Sequence, residues 1–182
     1  MHIRSIILKI YIFICIARYV LRKNLFNTEF ANKLFLNVNR DAIVPLLKYN
    51  KAQVGNNTKI DSPLILHYFS KDLSNLHIGN NCRISKNCFL DLSSKIKIED
   101  NCTLAMNVTI VAHIDLGESY PVKNVKNDKE EVVISKGTYV GANVLILKGV
   151  TIGEKSFVGA MSMVNQSAPE NSFIVGIPGK IK

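Results

Sequence analysis

No two cysteines in this chain stand at metal-binding spacing. Cys15, Cys82, Cys88 and Cys102 are the only four, and none forms a CxxC pair. That argues against a zinc site, and no other metal ligand set is visible. Three of the four fall at equivalent repeat positions described below, as small packing residues do. The compartment therefore reads as reducing, hence cytoplasmic. Acidic residues are scarce: 14 Asp and Glu face 23 Lys and Arg, a net charge of +9. Such a surplus suits a nucleic acid, an anionic membrane or a phosphorylated small molecule. The marks of a nucleic-acid binder are missing: no zinc-finger spacing, no aromatic RNA-binding signature, no basic stripe with interleaved aromatics.

A long apolar run is missing too. The N-terminal stretch MHIRSIILKIYIFICIARYVLRKN is apolar, but Lys9 interrupts it and Arg18 ends it. The run from Ile10 to Ala17 is far below the ~20 residues that a spanning helix needs. No small-x-small cleavage site follows it, so a secretory signal is not supported. At 100° per residue Arg4, Arg18 and Arg22 share one side. Two expectations stay open: a basic helix lying on the inner face of the membrane, or a helix packed on protein.

What the chain does have is a beat of six. Ile134, Val140, Ile146, Ile152, Val158 and Val164 are all β-branched, an agreement of roughly one in a thousand or less by chance in a fixed frame. Val54, Ile60 and Leu66 form an earlier run, and Ile78, Ile84 and Leu90 another. A two-residue slip at KIKI then sets Ile98, Leu104 and Ile110. A small or β-branched residue follows four positions later, for example Cys82, Cys88, Cys102 and Ser156. Gly often follows directly, as at Gly55, Gly79, Gly141, Gly153 and Gly159. A period of six is neither helical nor simply alternating. It describes a short strand and a tight corner, three of which make one triangular coil. The coils stack as parallel strands with equivalent residues in ladders.

These rungs resemble the hexapeptide repeats of the left-handed β-helix acyltransferases. The specific part is Asn101–Lys182, where NVTIVAH, an excursion, YVGANVLILKGVTIGEKSFVGAMSMV and APENSFIVGIPGKIK follow the order and spacing of the galactoside, maltose and xenobiotic acetyltransferase branch. The resemblance implies an all-β fold, a left-handed parallel β-helix, over residues 51–182. A helical extension would precede it at 1–50, and a loop would be extruded at 114–133. It implies an acetyl-CoA-dependent O-acetyltransferase acting on a sugar hydroxyl, as in surface polysaccharide biosynthesis, and a homotrimer with sites between subunits. N-acetylation of an amino sugar, acetylation of an antibiotic or serine, and a non-enzymatic β-helix scaffold are the alternatives.

His113 closes NVTIVAH at the corner where the beat is abandoned, and the family's catalytic histidine occupies the matching place. A sugar hydroxyl is a poor nucleophile at neutral pH. An imidazole can take its proton and later return one to the departing thiolate. The resemblance puts Asn107 among the acceptor contacts, and Asp91 and Asp115 are further candidates. Asp91, Asp115, Glu118 or a backbone carbonyl could orient the ring. By the same resemblance Gly141, Ala142, Gly159 and Ala160 line the pantetheine groove, and Lys180 meets the phosphates of CoA. His67 and His77 are expected in an irregular insertion between the first two runs, and His2 in the N-terminal helix.

Overall fold

The computed structural model describes residues 2–67, 72–116 and 126–182. Helix α1 spans His2–Leu25, α2 Thr28–Asn32 and α3 Arg40–Tyr49, with a 3-10 turn at Lys33–Leu36. Among the described residues nineteen short strands follow, from β1 (Gln53–Val54) to β19 (Lys180–Ile181). Seventeen of them form three parallel sheets, one for each side of a triangular shaft, and the other two pair with each other outside it. Sheet A runs β1, β4 (Leu76–Ile78), β7 (Ile96–Ile98), β12 (Val132–Ile134) and β15 (Thr151–Ile152). Sheet B runs β19, β18 (Phe173–Val175), β16 (Phe157–Val158), β13 (Tyr139–Val140), β8 (Thr103–Leu104), β5 (Arg83–Ile84) and β2 (Lys59–Ile60). Sheet C runs β17 (Met163–Val164), β14 (Leu145–Ile146), β9 (Thr109–Ile110), β6 (Cys88–Asp91) and β3 (Leu64–His67). Only β19 runs antiparallel within them, folding back on β18.

The six-residue beat is the axis of this shaft. Val54, Ile78, Ile98, Ile134 and Ile152 stack in sheet A. Ile60, Ile84, Leu104, Val140, Val158 and Ile174 stack in sheet B. Leu66, Leu90, Ile110, Ile146 and Val164 stack in sheet C. All of them are buried. Cys82 and Cys102 lie at the same level of adjacent coils, both reduced and buried, as their spacing across the slip requires.

The corners need left-handed backbone, which L-residues other than Gly, Asn and Asp rarely adopt. Asn supplies it repeatedly: Asn57, Asn81, Asn101 and Asn171 at the corner from A to B, and Asn87, Asn107 and Asn143 at the corner from B to C, all with φ of 55–60°. The glycines serve a second purpose. A Cβ on Gly141 would lie 2.6 Å from the amide nitrogen of Ala160, and one on Gly153 2.3 Å from that of Glu170. Successive coils close only because those side chains are absent.

The helices cover the open end of the shaft. Ala42, Ile43, Leu46 and Leu47 of α3 are buried in one continuous core with Val54 and Ile60, which protects edge strands β1 and β2. Helix α1 packs on α2 and α3. Its Tyr19 hydroxyl donates to Asn32 Oδ1 at 3.1 Å, and burial pushes that phenol up to about 12. No helix among the described residues is long and apolar enough to cross a membrane.

Two expectations need correction. His67 and His77 do not lie in an irregular insertion. They sit in regular strands, His67 in β3 (Leu64–His67) and His77 in β4 (Leu76–Ile78). Between those strands, 68–71 lie outside the described residues.

Candidate active site

His113 begins β10 (His113–Ile114), at the corner from sheet C to sheet A. The chain leaves the shaft here, and its return limb, β11 (Asp128–Lys129), pairs antiparallel with β10. His113 stands opposite Lys129 and Ile114 opposite Asp128. Glu130 N–H donates to the Ala112 carbonyl at 3.1 Å and closes the base of the excursion. Its residues 117–125, Glu118 among them, lie outside the described residues.

Directly below His113 is Asp91, the last residue of β6 (Cys88–Asp91). His113 Nδ1 and Asp91 Oδ2 are 2.5 Å apart. The same oxygen accepts the Ala112 N–H at 2.8 Å, and Oδ1 accepts the Ser93 N–H at 3.0 Å. The Asp91 side chain is 1% exposed and that of His113 is 18% exposed. Burial alone would raise the Asp91 pKa. The hydrogen bonds from His113, Ser93 and Ala112 outweigh it and hold the carboxyl below its ordinary value. An anion held this way fixes the Nδ1–H tautomer of His113. Asp91 was expected either among the acceptor contacts or as one of several groups that could orient the ring. With both oxygens engaged and almost no exposure, it stands as the partner of the histidine.

Asp115 is exposed and lines a cavity of about 280 Å³ at the base of the excursion, with His113, Ile114, Asn127, Asp128 and Lys129. The return limb is tied to the next coil by Lys148, whose ammonium lies 2.8 Å from Asp128 Oδ2 and also contacts Glu130 Oε1. Nothing in the local sequence marked Lys148, because its partners are about one coil away. A larger cavity of about 360 Å³ lies on sheet A, away from His113, near His77, Lys97, Glu99 and Lys136. Its charges serve each other. Lys97 Nζ is 2.6 Å from Glu99 Oε1, and Glu99 Oε2 accepts the Lys136 N–H at 3.1 Å. That pairing makes it a poorer reaction site than the His113 cavity. No group of three or more His, Cys, Asp or Glu converges as a metal site among the described residues.

The remaining candidates gather elsewhere. Gly141 and Ala142 follow β13 (Tyr139–Val140) and Gly159 and Ala160 follow β16 (Phe157–Val158), both at the corner from B to C. Asn107 is at that corner too, its Nδ2 donating to Asn143 Oδ1 at 3.0 Å. The amides of Gly141 and Gly159 already donate to the carbonyls of Val158 and Ile174, so those two amides belong to the shaft. Lys180 is exposed and pairs with Val175, whose Cγ1 would touch a Cβ on Gly159. Small residues and a cation thus run along one corner of the last coils, as a pantetheine arm ending in phosphates requires. Within one chain this strip stands a full side of the triangle away from His113.

Comparison with known proteins bears on this arrangement. The family model described as the hexapeptide repeat of succinyl-transferase matches residues 76–112 and 131–165, the coils on either side of the excursion. A galactoside O-acetyltransferase of Escherichia coli K12 is 33% identical over 141 residues, covering 75% of this chain and 65% of that protein. The chain is similar to the hexapeptide-repeat acyltransferases. A serine acetyltransferase of Staphylococcus aureus Mu50 is 29% identical over 69% of this chain and 57% of its own length. This chain therefore spans less than two thirds of the length of these curated relatives. A solved galactoside acetyltransferase in complex with coenzyme A superposes with a TM-score of 0.69 at 25% identity, over 91% of this chain and 80% of that one.

Proposed function

We propose that this protein transfers an acetyl group from acetyl-CoA to a hydroxyl of a sugar or glycan, in the assembly of a surface polysaccharide. The observation that carries the proposal is the pairing of His113 with a buried, ionised Asp91 at the edge of a cavity. With Nδ1–H donated to Asp91, Nε2 is the basic nitrogen. It takes the proton of the acceptor hydroxyl as that oxygen attacks the thioester carbonyl carbon. The tetrahedral adduct collapses, the C–S bond breaks, and the imidazolium returns the proton to the CoA thiolate. Ester and thiol result, and no covalent enzyme intermediate is needed. Asp91 steadies the imidazolium while it exists.

Acetyl-CoA-bound and CoA-bound neighbours in the fold support the donor. A homotrimer supplies what one chain lacks: the corner of one copy that carries Asn107, Gly141, Ala142, Gly159, Ala160 and Lys180 meets the His113 corner of the next. Asp115 then faces the acceptor from the His113 side. The extrusion at 114–133 borders the site through its described limbs, 114–116 and 126–133, with 51–182 as the catalytic unit and 1–50 as its helical cover. We place the reaction in the cytoplasm, where acetyl-CoA is made. A small alcohol such as serine is the second reading, favoured by the serine acetyltransferase relative.

The test uses the full-length protein with acetyl-CoA and follows release of the CoA thiol. Galactosides, maltose, amino sugars and serine serve as acceptors. Turnover of sugar hydroxyls is expected. His113→Ala should lower it by roughly two orders of magnitude or more, with the fold intact. Near wild-type turnover by that variant would sink the assignment, and turnover of serine alone would replace the sugar.

A further inference from the structure

Helix α1 is apolar on both sides, and the structure uses only one of them. Cys15 and Tyr19 are buried, and Tyr11, Ile12 and Ile16 pack against the same core. On the opposite side Ile6, Ile7, Ile10, Phe13, Ile14 and Leu21 are each 46% exposed or more, Phe13 reaching 71%. At 100° per residue these six fall within one arc of about 120°. Exposed Lys9 stands beyond one edge of that arc, and exposed Arg18 beyond the other, with Arg4 farther round on the Arg18 side. The helix contains no Asp or Glu.

We propose that this outer face of α1 docks on an anionic phospholipid surface, with the helix lying in the plane of the interface. An isolated exposed leucine is ordinary, but a continuous stripe of this kind on a helix marks an interaction surface. Its charge pattern selects the occupant. Cations flanking an apolar stripe snorkel to lipid phosphates while the stripe enters the acyl boundary. A second copy docked through the same stripe would set Lys9 and Arg18 against the same cations, with no carboxylate on either helix to offset them. Lys9 and Arg18 also leave too short an apolar run between them to cross the bilayer. The docking surface is independent of the proposed acetyl transfer, so either can fail without the other.

The experiment measures co-sedimentation of the full-length protein with vesicles of equimolar phosphatidylglycerol and phosphatidylcholine, against phosphatidylcholine alone. Binding should favour the anionic vesicles and weaken as salt rises, because the charges are screened. Ile10→Asp with Phe13→Asp should lower partitioning by about tenfold or more, since both side chains leave the acyl boundary. Lys9→Gln with Arg18→Gln should lower it by roughly fivefold for each charge at low salt. Both double variants should keep the wild-type unfolding midpoint, because neither touches the packed side. Equal partitioning of the Ile10/Phe13 variant and wild type overturns the proposal. So does a change in the oligomeric mass of that variant without lipid, which would assign the stripe to a second copy.

Discussion

Asp91→Asn isolates the interaction that defines the site. The substitution keeps shape and volume, so it opens no cavity. The carboxylate uses both oxygens: Oδ2 toward Ala112 N–H and His113 Nδ1, Oδ1 toward Ser93 N–H. The amide has one oxygen. Whichever way it turns, its NH2 group opposes a donor, either Ser93 N–H or the Ala112 and His113 pair. One buried donor left unmet costs about 1–3 kcal/mol, or roughly 2–10 °C in Tm for a chain of this size. The rate should fall by roughly 10²-fold, inside the 10²–10⁴ that a general base supplies, because His113 loses its fixed tautomer and the anion behind it. The pH dependence follows from the depressed carboxyl of Asp91. A carboxyl lowered in the folded state contributes stability in full above its unfolded value of about 3.9. That contribution is lost as pH falls through the lower folded value. The gap in Tm between wild type and variant should therefore be constant near neutrality and narrow below about pH 4. Thermal melts from pH 3 to 7, with turnover at pH 7, provide the measurement. A variant with wild-type turnover and a Tm within a degree would refute the reasoning, and so would a gap that widens in acid.

Gly141→Ala should destabilise by about 1–3 kcal/mol through overpacking, because its Cβ would press on the Ala160 backbone; an unchanged melt would show that the coils have slack there. Lys148→Met should change the melting temperature little, as expected of ion pairs whose carboxylates are half exposed. It should raise KM for the acceptor more than it lowers kcat, and a pure kcat effect would contradict its role as an anchor of the excursion. Asp128, held low by Lys148 and then by Glu130, should in that variant titrate closer to the ordinary carboxylate range, which NMR of the carboxyl carbon reads directly. Light scattering at micromolar concentration should give a trimer, and a monomer would remove the explanation for the separated corners.

The sequence by itself determined the shaft. A six-residue beat of β-branched residues admits one packing in which every beat points inward, and the ladders follow from Val54 to Ile174. It also singled out His113, because a repeat that stops at a histidine shows itself without coordinates. Which of Asp91, Asp115, Glu118 or a backbone carbonyl partners that histidine was not legible. Asp91 lies in the previous coil across a two-residue slip, and only the stacked strands bring its carboxyl under the imidazole. His67 and His77 were misplaced because 68–71 interrupt the beat that would have shown both strands as regular. Tertiary structure also decided that the small residues and His113 stand at different corners, since a period of six places every third step on the same side but does not say which sides a substrate must bridge. On α1, apolar residues all round gave no sign of which face is used. Packing against α2 and α3 buried Cys15 and Tyr19 and left Phe13 outside, because one helix can present only one side to a core.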